Sequence, residues 1–200
     1  MTMNANDWDE RYSASALVWS EGPNRFVEEL AQGLDPGRAL DLACGEGRNA
    51  IWLARHGWRV SGIDYSKVAI DKAKRLAAQA GVEVEWFCSD VLTFEAATGS
   101  YDLVLLSYLQ LPVDQMSTVV AKAGRALAPG GTLLVVGHAR ANLTDGVGGP
   151  QDSAVLYEPD DVVSWLGDLV IRRAEHVTRT VETDGGPRTA IDALVAASRA

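Results

Sequence analysis

Short apolar runs alternate with helix-patterned segments along the first two-thirds of the chain, and this alternation constrains the fold more than any other feature. Residues 38–44 (RALDLAC), 59–63 (RVSGI), 83–88 (EVEWFC), 101–106 (YDLVLL) and 132–136 (TLLVV) read as strands. Residues 49–55, 66–80 and 113–127 between them carry apolar side chains at helical spacing. Ser66 is placed to cap the second of these helices, Gly57 and Gly81 to end the first and second, and Ala128-Pro129-Gly130-Gly131 to stop the third. Strands that are apolar without interruption, separated by helices, predict a parallel sheet covered on both faces.

The last third has a different pattern. Residues 168–182 and 188–198 alternate polar and apolar around Asp184-Gly185-Gly186-Pro187, which predicts a hairpin of two long strands. Residues 159–166 form a short helix with Pro159 early and acids in its first turn. Residues 137–158 lack periodicity and read as a long loop, a kind of segment that in a compact domain is usually functional or disordered. The expected fold is therefore α/β, doubly wound and Rossmann-like, with a mostly parallel seven-stranded sheet and an antiparallel C-terminal hairpin.

The chemistry concentrates at the ends of the first three strands. Asp41-Leu42-Ala43-Cys44-Gly45-Glu46-Gly47-Arg48-Asn49 leaves the first strand and opens the first helix. Glycines there let the backbone turn tightly and approach a ligand, and the helix N-terminus offers free N–H groups to an anion. Asp41 is placed to meet a cationic ligand group. Alone, Gly45-x-Gly47-x-x-Ala50 also matches a dinucleotide fingerprint. Asp64 ends the second strand, where a carboxylate can accept from both hydroxyls of a ribose. Asp90 follows the third, where a carboxylate can accept from the amino group of adenine. Three aspartates at three strand ends line one crevice at the carboxyl edge of the sheet.

In these motifs the chain resembles the class I S-adenosylmethionine-dependent methyltransferases. DLACGEGRN looks like their glycine-rich first motif, GIDYS the acidic second, CSDVL the third, YDLVLLSYL the fourth, and LAPGGTLLVV the turn and strand that follow. The likeness extends over nearly the whole chain. GEGRN and the N-terminal WDERY are closer to the small tellurite-resistance and thiopurine type. The resemblance implies that S-adenosyl-L-methionine is the cofactor. It places Gly45, Gly47 and Asn49 at the methionine part, Asp64, Tyr65 and Ser66 at the ribose, Asp90 and Val91 around adenine, and Ser107 with Tyr108 closing the crevice. It also implies an N-terminal lid: Trp8, Arg11, Tyr12 and Trp19 would fold over the cofactor, with Arg11 pairing with its carboxylate. The alternative for these aromatics is simple cover for the core. The chain then divides, as one domain, into an N-terminal lid and helix (1–35), a cofactor-binding core (36–137), a substrate-side loop (138–158), and a helix with the C-terminal hairpin (159–200).

Methyl transfer from a sulfonium needs position and a dry site more than covalent help, so the lack of a catalytic dyad is no objection. Tyr108 and His138 are the substrate-side catalytic candidates, His138 as a base or else as a structural hydrogen-bonding group. Asn142 and Tyr157 belong to the long loop and read first as structural, as do His56 and His176. No Cys/His cluster has metal-ligand spacing, so no metal is expected. The net charge of −9 argues against a nucleic-acid partner and for a small-molecule substrate. The densest basic cluster, Lys67, Lys72, Lys74 and Arg75, reads as a solvated helix face. Cys44 and Cys88 read as buried, reduced thiols. The polar N-terminus and the lack of a long apolar run predict no signal peptide, no membrane span and a cytoplasmic location; nothing in the sequence specifies an oligomer. Two rival functions share these motifs: a non-enzymatic binder of the cofactor or its demethylated product, and an NAD(P)-dependent oxidoreductase, which leaves Asp90 and the hairpin unexplained.

Overall fold

The computed structural model describes residues 4–18 and 22–200. Its centre is a seven-stranded sheet in the order β3-β2-β1-β4-β5-β7-β6. β1 (Arg38–Leu42), β2 (Arg59–Asp64), β3 (Glu85–Cys88), β4 (Tyr101–Ser107) and β5 (Leu127–His138) are parallel. β7 (Gly186–Ser198) inserts antiparallel between β5 and β6 (Val170–Thr183), as the hairpin pattern predicts. The chain winds outward from β1 to β3 and then returns to place β4 on the other side of β1. That reversal opens a crevice at the carboxyl ends of β1 and β4.

Successive strand residues point to opposite faces, and both faces are covered. Leu40, Leu42, Val104, Leu106 and Val135 pack with α5 (Val113–Ala126) and α7 (Pro159–Trp165). Leu103, Leu105, Leu134 and Val136 pack with α2 (Arg25–Ala31) and α3 (Arg48–Arg55). Burial on both sides is why these strands carry no polar alternation, and each such side chain stabilises the fold by about 1.5–3 kcal/mol. α4 (Lys67–Ala80) begins at Ser66, whose hydroxyl accepts from Ala69 N–H at 3.1 Å, and ends at Gly81 with φ +68°.

Four expectations are corrected. β3 starts at Glu85, two residues late, and is an edge strand with Phe87 exposed. At that edge Cys88 is exposed as well; only Cys44 is buried. The Ala128–Gly131 turn lies inside β5 as an irregularity: Tyr101 pairs with Leu127 and Leu103 with Thr132. Residues 137–158 are not an open loop. β5 continues to His138, Ala139 bridges to Tyr157, and a short α6 (Asn142–Asp145) lies against β7, where Asn142 Oδ1 accepts from Ile191 N–H at 2.7 Å.

The basic cluster is only partly a solvated face. Lys67 is exposed and pairs with Asp71, but Lys72 turns inward. Its ammonium donates to the carbonyls of Tyr12 and Ser15 and lies 3.0 Å from Glu46 Oε1, which fixes the N-terminal segment over α4.

Candidate active site

The glycine-rich turn and the end of β2 are locked together. Gly45 N–H donates to Asp64 Oδ2 at 2.8 Å and Ser66 N–H to Asp64 Oδ1 at 2.9 Å. Gly45 (φ +56°) and Gly47 (φ +80°) need the left-handed backbone, and a methyl group on Gly47 would strike the Trp86 ring. Burial raises the Asp64 carboxyl above the usual range, and the backbone donors of Ser66, Gly45 and Tyr65 oppose that rise. Asp90 ends the third motif partly buried, with Oδ1 accepting from Leu92 N–H at 2.8 Å, and Val91 is buried beside it. Tyr65 is half-buried, and burial, followed by Asp64 and Asp90, pushes its hydroxyl up to about 12. The Ser66 hydroxyl is committed to capping α4 and to Asp9.

Asp41 stands at the base of the crevice, 1% exposed, with neither oxygen hydrogen-bonded among the described residues. Burial raises its carboxyl to about 7, and the nearby Arg48 guanidinium limits the rise. Asn49 is buried, and its Oδ1 accepts from Asn24 N–H at 2.8 Å, which holds the start of α2.

The N-terminal helix α1 (Ala5–Ser13) lies on α4. Asp9 accepts from the Ser66 hydroxyl and from Val68 N–H, so a carboxylate of α1 satisfies the N-terminus of α4. Glu46, within the glycine turn, accepts from Val18 N–H at 2.9 Å. Tyr12 is buried against Trp8, and Arg11 is exposed with its guanidinium over the Trp8 ring at 5.1 Å. Trp19 lies outside the described residues.

A second polar group faces the crevice beyond β4, β5 and β7. Tyr108 follows β4 with φ +58°, a strained conformation for a side chain of this size. Its hydroxyl donates to Asp192 Oδ2 at 2.6 Å. Arg179 Nε donates to the same oxygen at 2.8 Å, and His138 Nδ1 lies 3.3 Å from Asp192 Oδ1, off hydrogen-bond alignment. Burial alone would raise Asp192, but His138, Tyr108 and the Arg179 charge outweigh it and hold the carboxyl low. Burial and Asp192 drive the Tyr108 hydroxyl far above the range where phenols ionise in water. Both sequence-chosen residues, Tyr108 and His138, therefore meet here, their rings 5.0 Å apart.

Asp192 and Arg179 were missed as site residues. The signal existed: Asp192 interrupts the apolar run AIDALVAAS with a carboxylate, and a buried charge needs a partner. Asn142 is structural, donating to the Val147 and Gly148 carbonyls as well as accepting from Ile191. His56 caps α3 against Trp52, and His176 pairs with Glu158. Tyr157 is buried, its hydroxyl beside Gly137 and Gln110.

The buried side-chain atoms without a hydrogen bond among the described residues are Asp41 Oδ1 and Oδ2, Ser107 Oγ, both Gln110 amide atoms, Tyr157 Oη and Asp192 Oδ1. All belong to residues at or just beyond the crevice edge. Buried polar atoms are normally paired, so this concentration marks a surface built for a polar ligand. The Asp41 carboxylate, the glycine turn and the acids after β2 and β3 fit the amino acid, ribose and base of S-adenosylmethionine.

Comparison with known proteins agrees. Residues 39–131 match the family model of a methyltransferase domain. The 2-heptyl-1-hydroxyquinolin-4(1H)-one methyltransferase of Mycobacteroides abscessus is 30% identical over 182 residues, covering 86% of this chain and 79% of that one. A ribosomal RNA small subunit methyltransferase C of Alcanivorax borkumensis is 32% identical over 108 residues; these are 52% of this chain but span only 33% of that enzyme's length. Among solved structures, TehB from Haemophilus influenzae superposes with a TM-score of 0.75 at 17% identity, covering 98% of this chain and 67% of TehB, a likeness of fold. The chain belongs to the class I S-adenosylmethionine-dependent methyltransferases, and S-adenosylmethionine is its cofactor. The acidic charge alone does not exclude nucleic acid, because one relative acts on ribosomal RNA. No described helix is long and apolar enough to cross a membrane.

Proposed function

We propose that this protein transfers a methyl group directly and in line to a small organic molecule bound beside Tyr108, His138 and Arg179. The observation that carries the reading is the set of unpaired buried polar atoms, which runs from Asp41 under the cofactor motifs to Asp192 under the second polar group. When bound, S-adenosylmethionine supplies an electrophilic methyl on a cationic sulfur that keeps the bonding electron pair. Asp64 orients the ribose through whatever accepting capacity its two backbone bonds leave, and Asp90 and Val91 bracket the base. Asp41 meets the cationic amino group. α1, pinned by Asp9 and Lys72, excludes water from this side.

Tyr108, His138, Asp192 and Arg179 have no task in a protein that only holds the cofactor. Their position argues for an enzyme over a sensor. The Mycobacteroides relative acts on a hydroxylated heteroaromatic molecule.

Calorimetric titration with S-adenosylmethionine and, separately, NADH tests the reading. Micromolar binding of the former alone is expected. Binding of NADH alone overturns it.

A further inference from the structure

We propose that Lys122 is a positioning residue for the adenine of the cofactor. It fixes the turn that carries Asp90, and so sets how sharply the protein tells adenine from a purine without an amino group. The proposal rests on the methyltransferase reading above and on the placement of adenine at Asp90.

The connection from β3 to β4 differs from the others in the parallel part of the sheet. β1 is joined to β2 through α3, β2 to β3 through α4, and β4 to β5 through α5, whereas residues 89–100 carry neither helix nor strand. Such a segment has no hydrogen-bond ladder of its own, so its shape depends on the bonds it makes elsewhere. Val91 is buried, and Leu92, Phe94 and Ala96 pack against the core face that α5 covers. Apolar contacts are non-directional, and they do not aim a carboxylate with the accuracy that a hydrogen bond to a base needs.

Lys122 supplies the direction. It stands in α5 beside the buried stripe of Met116, Val119, Val120, Ala123 and Ala126, and its side chain is only 19% exposed. Its ammonium donates to the Leu92 carbonyl at 2.8 Å and lies 2.6 Å from Glu95 Oε1. Leu92 N–H in turn donates to Asp90 Oδ1 at 2.8 Å. The backbone carbonyl of Asp90 accepts from Thr93 N–H at 3.0 Å and from Phe94 N–H at 2.8 Å, which closes the turn. Leu92 is thus gripped at both ends. Its N–H holds one oxygen of the Asp90 carboxylate, and its carbonyl is held by Lys122. That leaves Asp90 Oδ2 to accept from the amino group of adenine, along a direction that Leu92 sets. Glu95 is 73% exposed, so its ion pair with Lys122 is solvated and weak, and the bond to the Leu92 carbonyl is the one that matters here.

The probes are S-adenosylhomocysteine and its analogue with unsubstituted purine in place of adenine, each titrated calorimetrically into the full chain. The two differ only at the amino group, so the ratio of their dissociation constants reads that contact. The wild type should prefer the adenine compound by about tenfold or more, the scale of one hydrogen bond to a charged group. Lys122→Met keeps an unbranched stem against the core and loses the donor. It should cut the preference several-fold while binding of the purine analogue changes little. Lys122→Arg, which can still donate to Leu92, should keep the preference, and so should Glu95→Gln. A lysine that only supported the fold would lower the melting temperature on replacement and leave the ratio alone.

An unchanged ratio in folded Lys122→Met overturns the proposal, and so does an equal narrowing by Glu95→Gln. If Lys122→Met does not fold, Lys122→Gln, shorter and uncharged, is held to the same expectation. Asp90→Ala separates this proposal from the readings beneath it. If Asp90→Ala abolishes the preference and Lys122→Met does not, only the role of Lys122 is lost. If Asp90→Ala leaves the preference intact, adenine does not lie at Asp90, and the proposal falls with that placement. If neither compound binds the wild type, the reading on which both rest is removed.

Discussion

Asp9 of the N-terminal helix accepts hydrogen bonds from both the hydroxyl of Ser66 and the backbone N–H of Val68, so α1 is clipped to the start of α4, the helix that follows Asp64. Ser66 N–H in turn donates to Asp64. α1, proposed as a lid, and Asp64, proposed to hold the ribose, therefore share one short chain of hydrogen bonds.

Asp9→Ala breaks that chain at its outer end. Loss of a capping carboxylate costs about 0.5–2 kcal/mol. We expect faster proteolysis within residues 5–18 and several-fold weaker S-adenosylmethionine binding, with the fold intact. Limited proteolysis and calorimetry check this; unchanged cleavage and affinity would show that α1 is held by its other contacts.

Asp64→Ala acts at the inner end. It removes the proposed ribose contact and leaves the N–H groups of Gly45 and Ser66 without their acceptor. Cofactor binding should weaken by roughly 1–3 kcal/mol, the scale of an unsatisfied buried partner. An unaltered dissociation constant means that Asp64 does not touch the cofactor.

Asp41 gives the pH signature. Burial lifts its carboxyl to about 7 in the fold, against 3.8 for an ordinary aspartate. The folded state thus holds a proton that the unfolded chain has released, and stability falls as pH rises between these two values, flattening above the upper one. The difference corresponds to up to about 4 kcal/mol. Asp41→Asn should remove this slope and make the cofactor-free protein more stable than wild type at alkaline pH, while weakening cofactor binding. Urea denaturation across pH 4 to 8 (about the span of the two values) reads the effect; parallel wild-type and mutant curves would contradict it.

Tyr108→Phe deletes the hydroxyl that donates to Asp192 but keeps the ring against His138. Turnover should fall by about tenfold or more while cofactor affinity stays near wild type, because a buried carboxylate has lost one of its two close donors. Steady-state kinetics and calorimetry together check this. Equal losses in both would move Tyr108 to the cofactor side.

How much of this was legible beforehand depended on the range of the interactions. The strands of the parallel core show directly in the sequence, because burial on both faces forces continuous apolar runs such as TLLVV. The three aspartates stand out in the sequence because Asp41 and Asp64 fall in the last residues of β1 and β2, and Asp90 falls two residues beyond β3. Arg179 and Asp192 are not, because their roles come from a pairing 13 residues apart across a hairpin and from Tyr108, 84 residues upstream of Asp192. Lys72 looked like surface for the same reason. Its partners, Tyr12, Ser15 and Glu46, come from segments that helical periodicity on α4 cannot see. Residues 137–158 appeared shapeless because their bonds run sideways to β7, leaving no period of their own.

β5 pairs with β7 only from Asp192 onward, so the outer part of the hairpin, which carries Arg179, extends past β5 and is bonded instead to residues 139–147. The residues proposed to hold the methyl donor lie in the first half of the chain, between Asp41 and Asp90, whereas Arg179 and Asp192, proposed to line the acceptor side, come from the last thirty or so residues. Substitutions in the hairpin arms can therefore re-specify what is methylated without disturbing how the methyl donor is held. Descendants of one ancestral scaffold can then exchange acceptors by drift in one hairpin and the short segment bonded to it.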